Sequence, residues 1–254
     1  MKIVVPVKLV PDLVEELAID ASGTGLDASW LRLIISEFDD HAIEQAILTK
    51  EAGGGQVVVL APDIEGIDDV LYTAAAKGAD RLIKLSGELG IDTNNHALAR
   101  ALGSAIRALQ PDLVLTGVQA HNDLDGSLGP LLAESLGMTY LGCVAGVSVS
   151  DGKALARKEY PGGLIAEMEV KLPAVLGIQA AEKAPRYVAV SKVRQAMQST
   201  SIDSQPAEGL DPSGSLKVVR MYQPEPAQRA VMIAGDIEAV AARFVDVFRE
   251  SGVL

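Results

Sequence analysis

Apolar runs of strand length alternate with segments of helical periodicity along most of the chain. The strand-length runs occupy residues 2–8, 56–61, 81–85 and 112–116. Apolar side chains recur at helical spacing within residues 42–47, 67–74, 97–109 and 128–136. This alternation is typical of consecutive strand and helix units, so it predicts an α/β fold with a parallel sheet covered by helices.

Residues at the element boundaries refine this prediction. Pro6 cannot donate a ladder hydrogen bond, so it predicts an edge strand or a bulge in the first run. Asp39 and Thr93 are the predicted N-caps of the first and third helices. The glycines at residues 53–55 and Gly78 are expected to end the first two helices.

The pattern changes after residue 138. Residues 155–159 and 164–172 flank the sequence YPGG at residues 160–163, which predicts a β-hairpin. We expect this hairpin to form one antiparallel pair on the parallel sheet.

The last part of the chain is predicted to be an arm followed by a helix. Residues 198–230 are rich in Ser, Pro, Asp and Gln and have too few apolar residues for a core of their own. Their prolines are Pro206, Pro212, Pro224 and Pro226. Asp236 is the expected N-cap of a final amphipathic helix, which we expect to pack on a partner chain. The sequence therefore predicts an α/β domain over residues 1–197 and an arm with a helix over residues 198–254.

A polar loop with glycines at both ends follows the fourth strand. It spans residues 117–126 (GVQAHNDLDG) and leads into a helix, the place where parallel sheets bind ligands. Backbone N–H groups and the dipole at a helix start favour a phosphate, although spacing alone is also compatible with an ordinary loop. The loop matches neither the Walker motif nor the Gly-x-Gly-x-x-Gly motif. Asp123 and Asp125 disfavour a triphosphate unless they face a ribose or solvent.

Composition and charge exclude several classes of function. The chain has 254 residues, of which 48% are hydrophobic and 4% aromatic, so aliphatic side chains must build the core. There are 22 Lys and Arg against 34 Asp and Glu, a net charge of −12, which argues against binding to nucleic acid or to anionic membranes. Residues 1–10 are interrupted by Lys2, Lys8 and Pro6, which is unlike a signal peptide. We expect a soluble cytoplasmic protein without membrane insertion.

Metal and covalent chemistry find little support in the sequence. Cys143 is the single cysteine and is expected to be a small buried hydrophobic residue. His41, His96 and His121 are too far apart for a zinc-binding pair. His41 and His96 are expected to be exposed, whereas His121 lies in the candidate loop. No Gly-x-Ser-x-Gly motif supplies a nucleophile, so we predict neither a metal site nor a catalytic residue.

Four segments carry a resemblance to a known family. They are residues 2–12 (KIVVPVKLVPD), 38–44 (FDDHAIE), 75–81 (AAKGADR), and 172–175 (LPAV) with the following 184–187 (APRY). In this order and spacing they resemble the beta subunit of electron-transfer flavoproteins, and the resemblance covers essentially the whole chain.

The resemblance implies a fold and a role. The implied fold is a Rossmann-like parallel sheet of the adenine nucleotide alpha hydrolase type, with an antiparallel hairpin and a C-terminal arm plus helix. The implied role is that of a non-enzymatic electron carrier, one half of a heterodimer with the alpha subunit. In that family the beta subunit binds AMP and covers an FAD held mainly by the alpha subunit. Electrons arrive from flavin dehydrogenases and leave to a quinone oxidoreductase or another acceptor.

The resemblance also implies site residues. It places the nucleotide against Pro6, Ser36, Phe38, Asp39, Pro62, Gly117, Val118, Gln119, Ala120, His121, Asn122, Asp123, Leu124, Asp125, Gly126, Ser127 and Leu128. Leu13 and Phe38 would approach the flavin ring of the partner.

The chain departs from the family pattern at several positions. Gly126, Ser127 and Leu128 stand where the family usually has Asn or Ala, then Gln, then Thr or Val, so two side-chain hydrogen-bond donors to the phosphate are shortened or lost. Backbone amides and Ser127 are left to hold the anion. Residues 177–184 correspond to the segment that recognises dehydrogenases, and Ala180 replaces its usual leucine.

Alternatives to the AMP-binding carrier remain open. The longer C-terminal tail resembles members that hold a second FAD in place of AMP and bifurcate electrons. A different class is an ATP-using enzyme of the same architecture, although residues 7–13 (VKLVPDL) supply no phosphate loop. A third class is a homodimeric nucleotide sensor of the universal-stress type.

Overall fold

The α/β architecture is confirmed by a computed structural model that describes residues 1–211, 213, 216–225 and 230–254. The strands are β1 (Lys2–Pro6), β2 (Leu9–Pro11), β3 (Leu33–Ile35), β4 (Gln56–Pro62), β5 (Arg81–Ser86), β6 (Leu113–Gly117), β7 (Thr139–Ala145), β8 (Val147–Ser150), β9 (Lys153–Tyr160), β10 (Leu164–Lys171), β11 (Ala174–Ala180) and β12 (Ile202–Pro206). The helices are α1 (Glu37–Gly53), α2 (Ile67–Lys77), α3 (Asn95–Leu109), α4 (Leu128–Leu136), α5 (Val190–Ser199) and α6 (Ile237–Glu250). Within these ranges no helix is both long enough and apolar enough to cross a membrane.

The centre of the molecule is a seven-stranded parallel sheet in the order β12-β5-β4-β1-β6-β11-β7. Side chains alternate between its two faces, because successive residues of a strand point in opposite directions. Ile3 and Val5 belong to an apolar cluster that includes Ile43 of α1, whereas Val4 belongs to a second cluster with Leu102 of α3. The sheet is therefore buried on both faces.

Pro6 lies in a central strand. β1 pairs with β4 through Pro6, but it pairs with β6 only at Ile3 and Val4. Because the pairing with β6 ends at Val4, no ladder bond to β6 requires the N–H that Pro6 lacks. The N–H of the next residue, Val7, donates to the carbonyl of Leu60 of β4 at 2.9 Å. The edge strand or bulge predicted from Pro6 is wrong.

The predicted hairpin exists, but it belongs to another sheet. β9 and β10 pair in antiparallel fashion from Tyr160 opposite Leu164 to Lys153 opposite Lys171. β8 pairs with the other edge of β9, so a separate three-stranded sheet forms. The expectation of a hairpin added to the parallel sheet is therefore wrong.

Two of the three predicted N-caps are displaced. α1 begins after Ser36 rather than after Asp39. α3 begins after Asn94, one residue past Thr93, and the Asn94 side chain accepts a hydrogen bond from a backbone N–H of the first turn. Asp236 is confirmed as the cap of α6.

The C-terminal part differs from the predicted arm in one respect. β12 pairs in parallel with β5, with Ile202 opposite Leu82, so Ile202–Pro206 completes the central sheet instead of forming an arm. The first compact unit accordingly ends at Met221, later than the predicted boundary at residue 197. Two prolines of the predicted arm, Pro212 and Pro226, lie outside the described residues.

The second compact unit is Tyr222–Leu254 and contains α6. No residue of α6 is buried. The rings of Phe244 and Phe248 lie 6.3 Å apart, and these side chains are 48% and 45% exposed. α6 thus presents an apolar face on which both aromatic side chains are about half exposed.

Cys143 is exposed, contrary to expectation. The pairing of β7 with β11 is irregular here, since Leu141 and Val144 are opposite Leu176 and Ile178. The extra residue on β7 gives Cys143 a φ of 57° and turns its side chain outward, as a β-bulge does.

Candidate functional site

The carboxyl ends of three neighbouring strands bring several predicted site residues together. Pro6 ends β1, Pro62 ends β4 and Gly117 ends β6, and these strands are adjacent in the sheet. Ser36 is buried at the same edge, where it is the N-cap residue of α1. Its N–H donates to the carbonyl of Lys8 at 3.3 Å. This is the edge at which parallel sheets bind ligands.

Asp39 joins α1 to two of these strand ends. One carboxylate oxygen accepts a hydrogen bond from the N–H of Lys8 and the other from the N–H of Gly117, each at 3.0 Å. These bonds explain why Asp39 does not cap its own helix. Gly117 must be glycine here, because an added Cβ would lie 2.6 Å from Asp39 Oδ1 and 2.9 Å from Phe38 Cβ.

Burial raises the pKa of Asp39 to about 6. The hydrogen bond from the N–H of Lys8 and the charge of Lys8 oppose this shift, while the charge of Asp123 adds to it. Asp39 is thus a buried carboxyl group that titrates well above its ordinary range.

A cluster of polar side chains fixes the loop after β6. Lys8 Nζ lies 2.5 Å from Asp123 Oδ1 and 3.3 Å from Asn95 Oδ1. Asn95 Nδ2 donates to Asp123 Oδ1 at 2.8 Å and to the carbonyl of Gly126 at 2.6 Å. The other oxygen of Asp123 accepts the N–H of Ala120 at 2.8 Å. The loop is thereby tied to the end of β1 and to the start of α3.

A cavity of about 430 Å³ lies beside this cluster. Its walls come from Lys8 and β2, the end of β4, the connection from β5 to α3 with the start of that helix, the loop after β6, and parts of residues 20–31 and 216–221. The predicted site residues that line it are Pro62, Asn122, Leu124 and Asp125. Its volume is in the range of small-molecule sites, roughly 300–1,000 Å³.

Two acceptor atoms of residues that line the cavity lack partners. Asn122 Oδ1 and Asp125 Oδ2 are buried, and neither has a hydrogen-bond partner in the described part of the chain. An unpaired buried acceptor is costly, so such atoms favour a ligand that brings donors. Both atoms have almost no accessible surface in this conformation, so either side chain must rotate before its free oxygen can meet a donor in the cavity, such as a nucleoside hydroxyl group.

Several predicted residues do not line the cavity. Leu13 is 61% exposed, and Gln119 and His121 are also exposed. Ser36 and Phe38 lie beside the Asp39 connection but not at the cavity surface.

The other predicted loop residues contribute to the fold and do not line the cavity. Val118 donates its N–H to the carbonyl of Ile178 at 2.9 Å, which extends the β6 and β11 pairing. Ala120 and Leu128 are buried. Ser127 caps α4 without a side-chain hydrogen bond to its first turn.

Sequence reasoning missed part of the site. Lys8 and Asn95 hold the loop, and Asp20 and Asp92 line the cavity, yet none of the four was proposed as a binding residue. The rule that ligands bind beyond strand carboxyl ends applies to the connection after β5 as well, so it was a signal for Asp92 and Asn95.

Comparisons with known proteins identify the family. Residues 29–208 match the family described as "Electron transfer flavoprotein domain". The chain is 31% identical to the electron transfer flavoprotein subunit beta of Methylophilus methylotrophus, over 98% of both chains. The chain belongs to the electron transfer flavoprotein beta-subunit family. It is also 29% identical to the subunit beta of Syntrophomonas wolfei, over 97% of this chain and 95% of that protein, and 27% identical to that of Bradyrhizobium diazoefficiens over 100% of both.

Membership of the electron transfer flavoprotein family confirms the resemblance carried by the four sequence segments. It places the chain in electron transport, among carrier subunits rather than enzymes. Within the described ranges no group of three or more His, Cys, Asp and Glu could hold a metal ion.

Part of residues 177–184, which the sequence resemblance predicts to recognise dehydrogenases, is held by α1. His41 Nδ1, Gln45 Oε1 and Glu44 Oε2 accept hydrogen bonds from backbone N–H groups within residues 181–186, at 3.1, 3.0 and 2.9 Å. His41 is accordingly half-buried rather than exposed as expected, and His96 is half-buried too.

The first half of that segment is not a loop. Gly177–Ala180 is part of β11, where Ala180 pairs with Ala145 of β7. Only the residues after Ala180 leave the sheet. The short side chain of Ala180 therefore lies at a strand end.

The side chain of Arg186 binds the end of this segment to α1. Its guanidinium lies 2.9 Å from Glu44 Oε1 and makes contacts of 2.6 and 3.0 Å with the two oxygens of Glu51. The hydrogen bonds with Glu51 and Glu44 raise the pKa of Arg186 above its ordinary value. Because the Glu44 side chain is only 2% exposed, Arg186 neutralises a buried carboxylate.

Proposed function

We propose that the chain is the beta subunit of a heterodimeric electron transfer flavoprotein, which accepts electrons from flavin dehydrogenases and passes them to a quinone oxidoreductase or another acceptor. The observation that carries the proposal is the similarity to subunits beta over nearly the whole length of the chain. In this proposal the FAD is held mainly by the alpha subunit and supplies the redox chemistry. The exposed side chain of Leu13 is available to contact that flavin.

The cavity at the carboxyl edge of the sheet is the proposed site of an adenine nucleotide, AMP or the corresponding part of a second FAD. Its position, its volume of about 430 Å³ and the unpaired acceptors of Asn122 and Asp125 support this assignment. The second ligand would make the protein a bifurcating member of the family.

The apolar face of α6 is the proposed contact with the alpha subunit. Phe244 and Phe248 are half exposed on a helix without buried residues, and such a face is stabilised by packing on another chain. The same proposal places the complex in the cytoplasm.

The test is to express the chain with its alpha subunit, denature the purified complex and quantify the released FAD and AMP. One FAD and one AMP per heterodimer is the expected result. Two FAD and no AMP would replace the AMP assignment by the bifurcating one. Absence of both nucleotides, or failure of the two chains to copurify, would refute the proposal. Release of pyrophosphate from ATP by the chain alone would instead support an ATP-using enzyme.

A further inference from the structure

Residues 181–186 are held on α1 by three side chains that accept hydrogen bonds from backbone N–H groups of this segment. The acceptors are His41 Nδ1 for Ala181 at 3.1 Å, Gln45 Oε1 for Glu182 at 3.0 Å and Glu44 Oε2 for Arg186 at 2.9 Å. A backbone N–H can only donate, so each bond requires that the helix side chain remain an acceptor.

Of the three acceptors, His41 is the one that protonation near neutral pH converts into a donor. In a neutral imidazole one ring nitrogen accepts and the other carries the proton, so the bond from Ala181 places that proton on Nε2. In a protonated ring both nitrogens carry a proton and neither accepts. The amide of Gln45 does not titrate, and the carboxylate of Glu44 is paired with the Arg186 guanidinium at 2.9 Å. Protonation of His41 therefore replaces its bond to Ala181 by two N–H groups that face each other.

The charged groups around His41 come from α1 and from residues 181–186, and most of them are paired. On α1 they are Glu37 and Glu44, one turn before and after His41, and Asp39 and Asp40. In the segment they are Glu182, Lys183 and Arg186. The ion pairs are Asp40 with Lys77 of α2, Glu44 with Arg186, and Glu182 with Arg157 of β9 at 3.4 Å.

The strands that pack on α1 add little charge to these groups. β1, β4, β6, β8 and β11 are described in full, and their single charged side chain is Lys2, which donates to the carbonyl of Leu109 at 2.6 Å. Asp39 is a second group that titrates near neutral pH, because burial raises its pKa to about 6. A test of His41 must therefore separate its protonation from that of Asp39.

We propose that His41 is a pH-dependent positioning residue for residues 181–186: its neutral imidazole holds the start of the segment on α1, and its protonation releases that start. The release is local, because Gln45 and Glu44 still hold the residues that follow. A consequence for the docking of flavin dehydrogenases rests on the proposed function and on the predicted role of this segment, whereas the release itself depends on neither.

Hydrogen–deuterium exchange of the complex with the alpha subunit measures the release. The quantity compared is the protection factor of the Ala181 N–H, which is the intrinsic exchange rate divided by the observed rate. We expect this factor to be roughly tenfold lower at about pH 5.5 than at about pH 7.5, the size of one lost hydrogen bond.

His41→Asn is the matched control for the titration. Asn Oδ1 is separated from the backbone by as many bonds as His Nδ1, and it accepts at every pH, so the bond from Ala181 can be kept. We expect this variant to lack the tenfold loss and to show only the change that it shares with the wild type, including any effect of Asp39. His41→Phe has no acceptor, so at neutral pH it should show the low protection that the wild type shows in acid.

The docking consequence is measured with a flavin dehydrogenase that reduces the wild-type complex. We expect the KM of that enzyme for the complex to rise in acid for the wild type more than for His41→Asn, while kcat changes equally for both. Equal changes of KM would overturn the link between His41 and docking.

The exchange results decide the inference without reference to the proposed function. It is overturned if the wild type and His41→Asn lose the same protection in acid, because the titrating group would then be common to both. It is also overturned if His41→Phe keeps the wild-type protection at neutral pH. Either result leaves the carrier role standing. A chain that forms no complex with an alpha subunit would refute that role, and the exchange comparison is then made on the full chain alone.

Discussion

Asp39 accepts a hydrogen bond from the N–H of Gly117 at 3.0 Å, which joins the first turn of α1 directly to the end of β6. The other oxygen of the same carboxylate accepts the N–H of Lys8 at 3.0 Å. One buried side chain therefore sets the spacing between two strand ends at the edge where the cavity lies.

The buried carboxyl group of Asp39 makes stability depend on pH. Its pKa is about 6 in the folded chain against an ordinary value of 3.8, so the folded state binds more protons between these values. Its contribution is fully present below about pH 4 and is lost as the pH rises through 6. The free energy of unfolding of the wild type minus that of Asp39→Asn should therefore decrease by up to about 3 kcal/mol between pH 4 and 7.

Urea unfolding at several pH values measures this difference. Glu37→Gln, an exposed carboxylate in the same turn of α1, is the control and should show no such narrowing. A gap for Asp39→Asn that widens with pH would contradict the assignment of a raised pKa.

Gly117 is expected to tolerate no side chain. An alanine Cβ there would lie 2.6 Å from Asp39 Oδ1 and 3.0 Å from the backbone nitrogen of Asp39, so something must shift. We expect Gly117→Ala to lower the free energy of unfolding by roughly 1–3 kcal/mol. Gly53→Ala has open space around the added methyl group and should be neutral or stabilising by up to about 1 kcal/mol. Denaturant unfolding of both variants checks the prediction, and equal effects would count against it.

The layers of the fold could be predicted from local patterns, but the neighbours of each strand could not. Apolar periodicity identifies strands such as Gln56–Pro62 because their two buried faces leave a continuous apolar run. Pro6 suggested an edge strand because the sequence does not show that β6 pairs only with Ile3 and Val4. Likewise, the turn of the hairpin is a local signal, whereas its pairing with β8 is not.

The site shows the same division. The position of the loop after β6, behind a buried strand, was predictable from the sequence, whereas the ligand class implied by the family resemblance stays a prediction. The role of Asp39 was not, because its two partners lie 31 and 78 residues away in the sequence. An aspartate near a helix start looks like an N-cap until those distant N–H groups are known.

Arg186 is expected to be a strong determinant of stability. Arg186→Ala would leave the carboxylate of Glu44 buried and unpaired, which should cost about 3 kcal/mol or more. Glu51→Gln removes only the exposed carboxylate that pairs with Arg186, and it should lower the free energy of unfolding by less than about 1 kcal/mol. Chemical denaturation gives both values. Adding Glu44→Gln to Arg186→Ala should recover part of the loss, and no recovery would argue against an unpaired charge as its cause.

The exposed face of α6 can be tested by substitution. If this helix packs on the alpha subunit as proposed, replacing Phe244 and Phe248 by Ser should weaken the complex by at least about tenfold, because aromatic anchors commonly dominate interface energies. Arg249→Ser changes an exposed polar position of the same helix and serves as the control. Titration of the chain with the alpha subunit measures both effects, and equal affinities for the two variants would exclude the aromatic face as the contact.

The segment within residues 181–186 is fastened to α1 through its own backbone N–H groups, which donate to the side chains of His41, Gln45 and Glu44. The path of the segment is therefore specified by these main-chain bonds to the helix, together with the side chain of Arg186 at its end. Ala181 and Glu182 can be exchanged for other residues while their main chain keeps its course. If the segment recognises dehydrogenases, as the family resemblance predicts, substitutions at these two positions can change that preference without a new loop conformation.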